Sequence, residues 1–416
     1  MAFLPHCNEN LKNEIIKIFS LNLYSFEQLN NFFFNGKCDF FFKMEKLYSK
    51  EAQDFISIYP NLQKLALSIN DILPKELPIL KTKDKSVKIE YTRKQVALIF
   101  LLSFFDFIEG KNSKRFHVYY ILFNRSKAAF EFGRCFLNYL ITIGKWLKEE
   151  KNDILEEKII YKRINIEPSE YLEKAEIQEI NLCEIKFDEE NSMFNGTTPY
   201  YVDFANKYIG GGALTGGCVQ EEILFAMEPE ASVSMLFMEV MDPNDAIGIF
   251  NTIEYSASKG YGYDFKFDKS AITDDLSKIK RHRIIAIDAI VSSRSFFNVY
   301  NGYQKDIMRD IHKAYVGFNL INSDDEKDFG KIISTGNWGC GAFGGNHELK
   351  FIQQWIAASF AGVKRLDYYT FKNKKMNNAV KYYEKIKEKF KKAYSLYRSI
   401  VFDKIDMNHI IINLQK

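Results

Sequence analysis

The sequence predicts a three-layer α/β fold, with helices on both faces of a sheet, preceded by an all-helical segment. Up to about residue 151, apolar residues recur at three- and four-residue spacing, which is typical of packed helices. Beyond that point short apolar runs alternate with helical patterns, which favours an α/β arrangement with ligands bound at the C-terminal ends of the strands. A chain of 416 residues also exceeds the ~250–300 residues at which single cores stop growing. Two domains are therefore expected.

The helical segment is expected to span residues 1–151. Its apolar sets fall on single helix faces: Leu11, Ile15 and Phe19; Phe55, Ile58 and Leu62; Leu137, Leu140 and Ile143. The most apolar run, residues 96–105, is about half the ~18–20 residues that span a bilayer, so it predicts a buried helix. The pattern breaks in a charged stretch at 149–153, which sets the predicted boundary with a second domain over 152–416.

Short strands and longer helices alternate in the second domain. The predicted strands cover residues 159–166, 200–209, 246–251, 284–291, 332–335 and 366–371. The predicted helices between them cover residues 219–226, 304–319 and 349–360. Near the C-terminus, one helical face is apolar while Lys and Glu occupy the other, which predicts a helix with a solvated outer face. The apolar face consists of Val380, Tyr383, Ile386, Phe390 and Tyr394.

Composition excludes several classes of protein. The 57 Lys and Arg against 54 Asp and Glu give a net charge of +3. Positive and negative residues are too nearly equal in number for a protein that binds a polyanion over its whole surface. An anionic ligand therefore needs a local site. The six cysteines form no CxxC pair and the six histidines no HExxH motif, so neither a disulfide framework nor a zinc site is predicted, and a reducing intracellular compartment is expected. The first residues lack the basic and long apolar stretches of a secretory signal.

A glycine-rich loop between a predicted strand and a predicted helix is the strongest local signal. It contains Gly210, Gly211, Gly212, Gly216 and Gly217. Glycines let backbone N–H groups approach a ligand closely, and a helix N-terminus adds positive potential, so the arrangement suits a diphosphate. No Lys-Ser/Thr pair follows, and Thr215 stands where the third glycine of a dinucleotide loop belongs. Neither common nucleotide-binding loop is therefore present.

Two adjacent glutamates, Glu221 and Glu222, follow in the first turn of the predicted helix. Carboxylates at this position often only complement the helix dipole. Successive residues project roughly 100° apart, so the pair is not expected to point at one atom as facing glycosidase carboxylates do. We expect one to donate a proton and the other to bind sugar hydroxyls. Upstream, Asp203 and Asn206 stand at a strand end, where ligand-facing residues collect, although Asn206 is equally consistent with a turn.

A second glycine-rich loop covers residues 335–345, after one predicted strand and before another helix. Two such loops on neighbouring strands could hold one diphosphate from both sides. Cys340 lies within this loop, but no histidine is nearer in sequence than His347, which disfavours a nucleophile. Between the two loops, Tyr261 and Tyr263 are flanked by glycines, and such tyrosines either close over a ligand or partly cover the core.

Together these motifs resemble poly(ADP-ribose) glycohydrolase of the eukaryotic type. The family signature is a GGG run followed after a short spacer by QEE, present here at residues 210–212 and 220–222. The segments VDFAN at 202–206 and TGNWGCGAFGG at 335–345 match the family as well. The resemblance implies a macrodomain-like three-layer α/β/α fold with a mixed sheet for residues 152–416, preceded by an all-helical accessory domain over 1–151.

The resemblance also implies roles for individual residues. Glu222 would be the general acid that protonates the 2′-oxygen of the leaving ribose. Glu221 would bind and orient ribose hydroxyls beside the glycosidic bond, with Asp203 and Asn206 supporting. The two glycine loops would hold the diphosphate, Tyr261 would act as a clasp, and Phe371 would stack on adenine. The expected substrate-binding residues are Asn206, Gly211, Gly212, Gly217, Gln220, Tyr261, Asn337, Gly341, Ala342, Phe343, Gly344 and Phe371. The resemblance does not decide which acid among residues 188–190 contacts adenine.

Hydrolysis of ribose–ribose O-glycosidic bonds in poly(ADP-ribose) is the activity that the resemblance implies. No cofactor and no metal are expected. The expected partners are poly(ADP-ribose) chains on modified proteins and the ADP-ribose product, without a membrane or sequence-specific nucleic acid. A monomer in nucleus and cytoplasm, acting in the DNA damage response, is expected.

Three alternatives remain open on the sequence. The first is a macrodomain that binds ADP-ribose without cleaving it, which would have no use for Glu221 and Glu222. The second is a relative that removes single protein-linked or other O-linked ADP-ribose. The third, a dinucleotide oxidoreductase, is disfavoured by the failed glycine spacing.

Overall fold

The computed structural model describes residues 2–3, 13, 15–17, 19–74, 76–110, 115–196, 198–291, 300–324 and 330–403. Leu11, in the first predicted helix, lies outside these residues. The strands are β1 (Ala2–Phe3), β2 (Glu76–Leu77), β3 (Val87–Thr92), β4 (Glu109–Gly110), β5 (Lys158–Asn165), β6 (Glu184–Asp188), β7 (Tyr200–Asp203), β8 (Asp245–Thr252), β9 (Ser256–Lys259), β10 (Lys266–Ser270), β11 (His282–Ala286), β12 (Ile332–Gly336) and β13 (Arg365–Tyr369).

A mixed eight-stranded sheet forms the centre of the molecule, in the order β3-β5-β8-β11-β7-β12-β13-β6. The five strands from β11 to β6 are parallel, whereas β8, β5 and β3 continue the sheet in antiparallel fashion. The C-terminal ends of β11, β7, β12, β13 and β6 therefore meet at one edge. This is the edge at which open α/β sheets bind their ligands.

Helices cover both faces of the sheet, as the sequence predicted. They are Phe26–Phe34, Asp39–Leu47, Ser49–Leu67, Ile69–Ile72, Arg93–Phe104, Tyr119–Phe123, Lys127–Lys148, Asn152–Leu155, Leu172–Ile177, Gln220–Met227, Pro229–Ser232, Ser234–Phe237, Tyr300–Phe318, His347–Phe360, Asn377–Phe390 and Ala393–Val401. Buried apolar side chains form two clusters, one on each side of the sheet. The three-layer arrangement follows because each face of a central sheet must be covered.

The N-terminal segment is mainly helical, but it is not all helical as predicted. Its strand β3 pairs with β5 and forms one edge of the main sheet. Short β1, β2 and β4 form a separate sheet. One apolar cluster also runs continuously from the N-terminal helices to the sheet. The division at residue 151 thus remains a prediction, and a core spans it.

The predicted buried helix at 96–105 is observed as Arg93–Phe104, and its residues from Val96 onward are buried. Thr92 and Gln95 form a capping box at its start. Across the described residues, no helix combines the length and apolar character that a bilayer crossing requires. The C-terminal pattern proves to be two helices, because the backbone turns at Lys391, whose φ is +54°. The face predicted there is only partly correct, since Ile386 is buried whereas Val380 and Tyr383 are half-buried.

Several predicted strands end earlier than expected. The strand predicted at 200–209 stops at Asp203, and the one predicted at 284–291 stops at Ala286. The first stops because the backbone beyond it folds around a side chain of the next helix, described below. Strand β6 and the hairpin of β9 and β10 were not predicted.

Candidate active site

A cleft of about 620 Å³ opens at the C-terminal edge of the parallel strands. Most residues expected from the sequence line it, namely Asn206, Gly211, Gly212, Gln220, Glu221, Glu222, Tyr261, Asn337, Gly341, Ala342, Phe343 and Phe371. Asp203, Gly217 and Gly344 lie outside the lining. Asp203 is buried at the end of β7, Gly217 stands behind Glu222, and Gly344 forms a turn with its N–H bonded to the carbonyl of Gly341. Two segments distant in sequence thus meet at one cleft.

Glu221 is held by backbone amides of the loop that follows β7. Its Oε2 accepts from the N–H of Asn206 at 2.8 Å, and its Oε1 accepts from the N–H of Gly210 at 2.6 Å. Only 2% of the residue is exposed. This arrangement explains why the strand predicted at 200–209 ends at Asp203, because the next amides turn toward a carboxylate instead of a neighbouring strand. Glu221 is therefore fixed in place before any ligand enters.

Glu222 is held in the same way by a different part of the loop. Its Oε1 accepts from the N–H of Gly212 and its Oε2 from the N–H of Val219, both at 2.9 Å. Through the second bond, the carboxylate reaches back to the backbone N–H of Val219, the residue that precedes the helix Gln220–Met227. Glu222 is 7% exposed, and it lines the cleft. Its carboxylate is thus both oriented by the backbone and accessible to a ligand.

Both carboxylates approach Gly211, contrary to the divergence expected from adjacent helix positions. A Cβ at Gly211 would lie 2.5 Å from Oε2 of Glu221 and 2.6 Å from Oε1 of Glu222, and φ there is +47°. A Cβ at Gly217 would lie 2.9 Å from Oε1 of Glu222. The flexible side chains reach back toward the helix start, where the amide donors are. Glycine is required at these positions because a side chain would displace the carboxylates.

Gln220 connects the helix start to the end of β7. Its Oε1 accepts from the N–H of Phe204 at 2.8 Å, and its Nε2 donates to the carbonyl of Val202 at 3.1 Å. Both ends of the amide are therefore engaged by backbone, although the residue lines the cleft as expected for a ligand contact. Asn206 likewise serves the turn, since its Oδ1 accepts from the N–H of Tyr208 at 3.0 Å.

Asp203 lies beneath the two glutamates and is fully buried. Neither of its carboxyl oxygens accepts a hydrogen bond from any residue that the structure describes. Burial, together with the charge of Glu222, raises the pKa of Asp203 well above its usual value. Burial and the charges of Asp203 and Glu222 also raise the pKa of Glu221, against the opposing effect of its two amide bonds. Burial and mutual repulsion therefore disfavour the charged forms of Asp203 and Glu221.

Replacement of Asp203 by Asn is expected to flatten the dependence of stability on pH. The folded-state pKa of Asp203 lies above the ~3.9 of an unfolded aspartate, so its contribution to stability is complete at acidic pH and is lost as the pH rises toward the folded pKa. The amide has no such titration. Thermal unfolding of both proteins is measured from pH 4.5 to 8. The melting temperature of the variant, relative to that of the wild type, should increase as the pH rises. Parallel curves would contradict a protonated Asp203.

The helical segment contributes directly to this site. Arg115 donates from Nη2 to the carbonyl of Ile209 at 2.8 Å. Burial lowers the pKa of Arg115, and the negative charge of Glu221 opposes that change. Asn124 donates from Nδ2 to the carbonyl of Thr215 at 3.0 Å. A Cβ on Gly216 would lie 2.5 Å from that nitrogen. Two side chains of the helical segment therefore support the glycine loop from outside the cleft, and neither was predicted.

The second glycine loop forms the opposite wall of the cleft. Asn337 donates from Nδ2 to the carbonyl of Thr370 at 2.8 Å, and Trp338 donates from Nε1 to the carbonyl of Ile287 at 2.9 Å. Gly339 has φ +71°, and a Cβ there would lie 2.6 Å from Cβ of Ala289. Burial raises the pKa of the Cys340 thiol to about 12, which agrees with the sequence argument against a nucleophile.

Two aromatic rings face each other at the mouth of the cleft. The ring centroids of Tyr261 and Phe371 are 5.6 Å apart, and both side chains are largely exposed. Tyr261 lies in the turn between β9 and β10, next to Gly260, where a Cβ would lie only 2.2 Å from the carbonyl oxygen of Asp264. Phe371 adopts a positive φ of +54°, which is costly for a bulky residue. Lys372 has the same φ of +54°, so the strain belongs to the turn after β13, which holds the Phe371 ring at the cleft.

The acidic loop after β6 does not reach the cleft. Asp188 accepts hydrogen bonds from Asn191 and from the N–H of Glu190, and these bonds lower its pKa. Glu190 pairs with Lys372 at 3.1 Å, and Glu189 is exposed. The nearby wall is formed instead by Ser192, Met193 and Phe194.

Sequence reasoning missed several other lining residues, which are Phe204, Ala205, Val219, Ala289, Trp338, Tyr369, His347, Asn373 and Lys375. Most follow directly after a parallel strand or open a helix after a glycine loop. Their positions in the sequence could have indicated them, because ligand-facing residues collect there. The described residues hold no cluster of His, Cys, Asp and Glu arranged for a metal ion.

Two family models match the chain. The model described as poly(ADP-ribose) glycohydrolase, macro domain fold, matches residues 172–378, and the model of the helical domain matches residues 47–163. The expected fold class, a macrodomain-like α/β/α domain preceded by a helical domain, is thereby confirmed.

Curated relatives carry the same name. The chain is 35% identical over 242 residues to poly(ADP-ribose) glycohydrolase 1 of Arabidopsis thaliana, a match that covers 41% of this chain and 42% of that protein. It is 38% identical over 192 residues to poly(ADP-ribose) glycohydrolase 1 of Caenorhabditis elegans, covering 44% of this chain and 24% of that protein. The chain thus spans less than half the length of the curated relatives that it matches.

Among solved structures, the chain is similar to the poly(ADP-ribose) glycohydrolase of Deinococcus radiodurans in complex with ADP-ribose. The match has 11% identity and a TM-score of 0.36, and it covers 58% of this chain and 94% of that one. On the two family models, which together extend from residue 47 to residue 378, the chain belongs to the poly(ADP-ribose) glycohydrolase family.

Proposed function

We propose that this protein hydrolyses the ribose–ribose O-glycosidic bonds of poly(ADP-ribose) and releases ADP-ribose. The observation that carries the proposal is the pair of glutamates at the start of one helix, each held by two backbone amides. A module that only binds ADP-ribose needs the glycine loops, but it has no use for two buried carboxylates that a loop is shaped to hold. Membership of the family supports the same activity.

Glu222 is the general acid and base in this proposal. Cleavage of a glycosidic bond proceeds through an oxocarbenium-like transition state, so the leaving oxygen must receive a proton. Glu222 lines the cleft and is fixed by Gly212 and Val219, so it can protonate the leaving 2′-oxygen from a set direction. The resulting carboxylate then takes a proton from the attacking water.

Glu221 binds the hydroxyls of the ribose next to the scissile bond. Each of its oxygens accepts one amide N–H, which leaves further lone pairs for hydroxyl donors. Asp203 supports the pair from below, where burial and the charge of Glu222 raise its pKa and so disfavour a further anion. Positive charge at the anomeric carbon is then balanced by the ligand's own diphosphate, held between the two glycine loops.

The remaining lining residues divide according to the parts of ADP-ribose. Gly341 to Phe343 present backbone to the diphosphate on one side. Gly211 and Gly212 line the other side, where the absence of a side chain leaves room for the ligand while their N–H groups bond to protein oxygens. No Cβ at Gly341 would meet an atom within 4 Å among the described residues, so ligand atoms have room there. Phe371 stacks on adenine, and Tyr261, whose ring lies next to that of Phe371, closes over the adjoining part of the ligand.

Digestion of purified poly(ADP-ribose), with product sizes followed over time, tests the function. We expect ADP-ribose to accumulate. A second digestion uses a protein that carries single ADP-ribose units. An enzyme specific for such mono-modified protein would act on this substrate and leave the polymer intact. A reader would bind ADP-ribose and release nothing from either substrate, and both outcomes would contradict the proposal.

Replacement of Tyr261 by Ala is expected to reduce polymer hydrolysis partially. The change removes one ring of the aromatic pair, and stacking of a base on an aromatic side chain is worth about 1–3 kcal/mol, so the specificity constant kcat/KM should fall roughly 5- to 150-fold. Tyr263, exposed in the same turn and outside the cleft lining, supplies the control in the form of Tyr263→Ala. Equal effects of the two changes would mean that Tyr261 has no specific role.

A further inference from the structure

His347 is a buried polar residue of the cleft without an assigned role. It is the first residue of the helix His347–Phe360, which begins directly after the second glycine loop. The residue is 9% exposed, and it lines the cleft. Its ring forms no hydrogen bond with any part of the chain that the structure describes, and its nitrogen atoms are not among the buried atoms that lack a partner, so they are accessible from the cleft.

The other buried histidines show what a purely structural histidine looks like in this fold. His282 forms a hydrogen bond through Nδ1 to Glu228 at 2.7 Å, and His312 contacts the Tyr171 hydroxyl through Nδ1 at 3.3 Å. Both are packed among protein groups away from the cleft. Nε2 of His312 also lacks a hydrogen-bond partner among the described residues, so His347 differs from both chiefly because its ring borders the open cleft.

A lysine lies beside His347 on the same wall. Lys375 lines the cleft. Burial lowers the pKa of His347, and the positive charge of Lys375 lowers it further. The same charge acts on the thiol of Cys340. Among the described residues no carboxylate pairs with Lys375, whereas the neighbouring Lys372 pairs with Glu190 at 3.1 Å. The lining of the cleft therefore holds a cation without an ion-pair partner and an imidazole without a hydrogen-bond partner among the described residues.

We propose that His347 and Lys375 form an additional anion contact, in which the imidazole N–H donates to the diphosphate of the ligand and the ammonium supplies charge. This inference rests on the proposed function, and it names residues for the second wall that the family signature does not contain. The start of a helix adds positive potential at the same point. Asn346 already caps this helix by accepting from the N–H of Leu349 at 2.9 Å, so the side chain of the next residue is left for the ligand.

The chemistry selects for phosphate oxygens over other groups of the ligand. A neutral imidazole offers one N–H donor and an ammonium offers three, whereas an adenine or ribose gains little from adjacent positive charge. A hydrogen bond to a charged group contributes about 1.5–3 kcal/mol, which corresponds to a change of roughly 10- to 150-fold in affinity. The effect should therefore be large for ADP and absent for adenosine.

Calorimetric titration of His347→Ala and Lys375→Ala with ADP-ribose, ADP and adenosine tests the inference. In each variant we expect the affinity for ADP-ribose and the affinity for ADP to fall by a similar factor, which for His347→Ala is roughly 10-fold or more. The affinity for adenosine should not change. His347→Gln, which retains an N–H donor, should recover part of the affinity. Lys372→Ala is the matched control, because that lysine is paired with a carboxylate and lies outside the lining. It should bind all three ligands like the wild type.

Specific outcomes would overturn the inference. Unchanged ADP affinity in both variants, or equal weakening of ADP and adenosine, would show that the pair does not contact the diphosphate. Lys375 is exposed, so its replacement cannot be dismissed as a folding defect if His347→Ala proves unstable. Failure of the wild type to bind ADP-ribose would instead contradict the proposed function. The two failures are therefore distinguishable.

Discussion

Replacement of Glu222 by Gln is expected to abolish hydrolysis of poly(ADP-ribose) almost completely while ADP-ribose still binds within a few-fold of the wild type. The amide preserves the shape of the side chain but has no proton to give to the leaving oxygen. General acid–base catalysis contributes about 10²–10⁴-fold, so a residual rate in that range below the wild type is expected. The measurement is initial rate of ADP-ribose release, with binding measured separately by calorimetry.

The amide also perturbs the loop, since both oxygens of Glu222 accept backbone N–H groups. One of these backbone N–H groups would face the NH₂ of glutamine, which lowers the free energy of unfolding by about 1–3 kcal/mol. A lower melting temperature is therefore expected, and binding must be measured well below that temperature. Glu254→Gln is the matched control. Burial raises the pKa of Glu254 to about 7, and the residue follows β8, whose end lies at the opposite edge of the sheet. Comparable loss of binding and turnover in Glu222→Gln would indicate a binding role only.

Replacement of Arg93 by Met is expected to lower the free energy of unfolding by about 3–5 kcal/mol. Arg93 is fully buried and its Nη1 pairs with Glu230, which is fully buried as well. Its Nη2 reaches Glu157 at 3.1 Å and the carbonyl of Asn251 at 3.0 Å. Removal of the guanidinium leaves Glu230 buried without its counterion. Denaturant unfolding of wild type and variant measures the difference.

The double replacement Arg93→Met with Glu230→Gln should recover much of that loss, because no uncompensated charge remains. Arg281→Met is the matched control, since Arg281 also pairs with Glu157, at 2.6 Å, but is partly exposed. Its loss should cost about 1 kcal/mol or less. A double variant no more stable than Arg93→Met would show that the loss arises from packing and not from the buried charge.

The site was predictable where its chemistry is local in sequence. Glu221, Glu222 and Gly211 belong to one short motif, so their types and spacing were sufficient to propose a carboxylate pair beside a glycine loop. Their contacts were not predictable, because the amides that hold Glu221 belong to Asn206 and Gly210, in a run that has the apolar character of a strand. The local pattern was overridden by an acceptor from the next helix.

Features that depend on tertiary structure were missed for the same reason. Strand β3 lies in a Lys-rich region next to a helix, and as an edge strand it is only partly buried, so its alternation is weak. Arg115 is remote in sequence from Ile209, and their contact follows only from how the helical segment packs. His347 was noted solely as a possible partner for Cys340. Its burial beside the cleft arises from the path of the second glycine loop.

The edge position of β3 has a consequence for synthesis of the chain. Val87–Thr92 leaves the ribosome before its partner Lys158–Asn165, and β5 in turn needs β8, which is made later still. The nascent N-terminal part therefore carries an unpaired strand for much of translation, and such edges invite association between chains. Lys88 and Glu90, which form an ion pair on this strand, place charge where an unwanted neighbour would pair. In the folded protein, a truncation that removed β3 would make β5 the edge strand and leave its backbone hydrogen-bonding groups unpaired on that side.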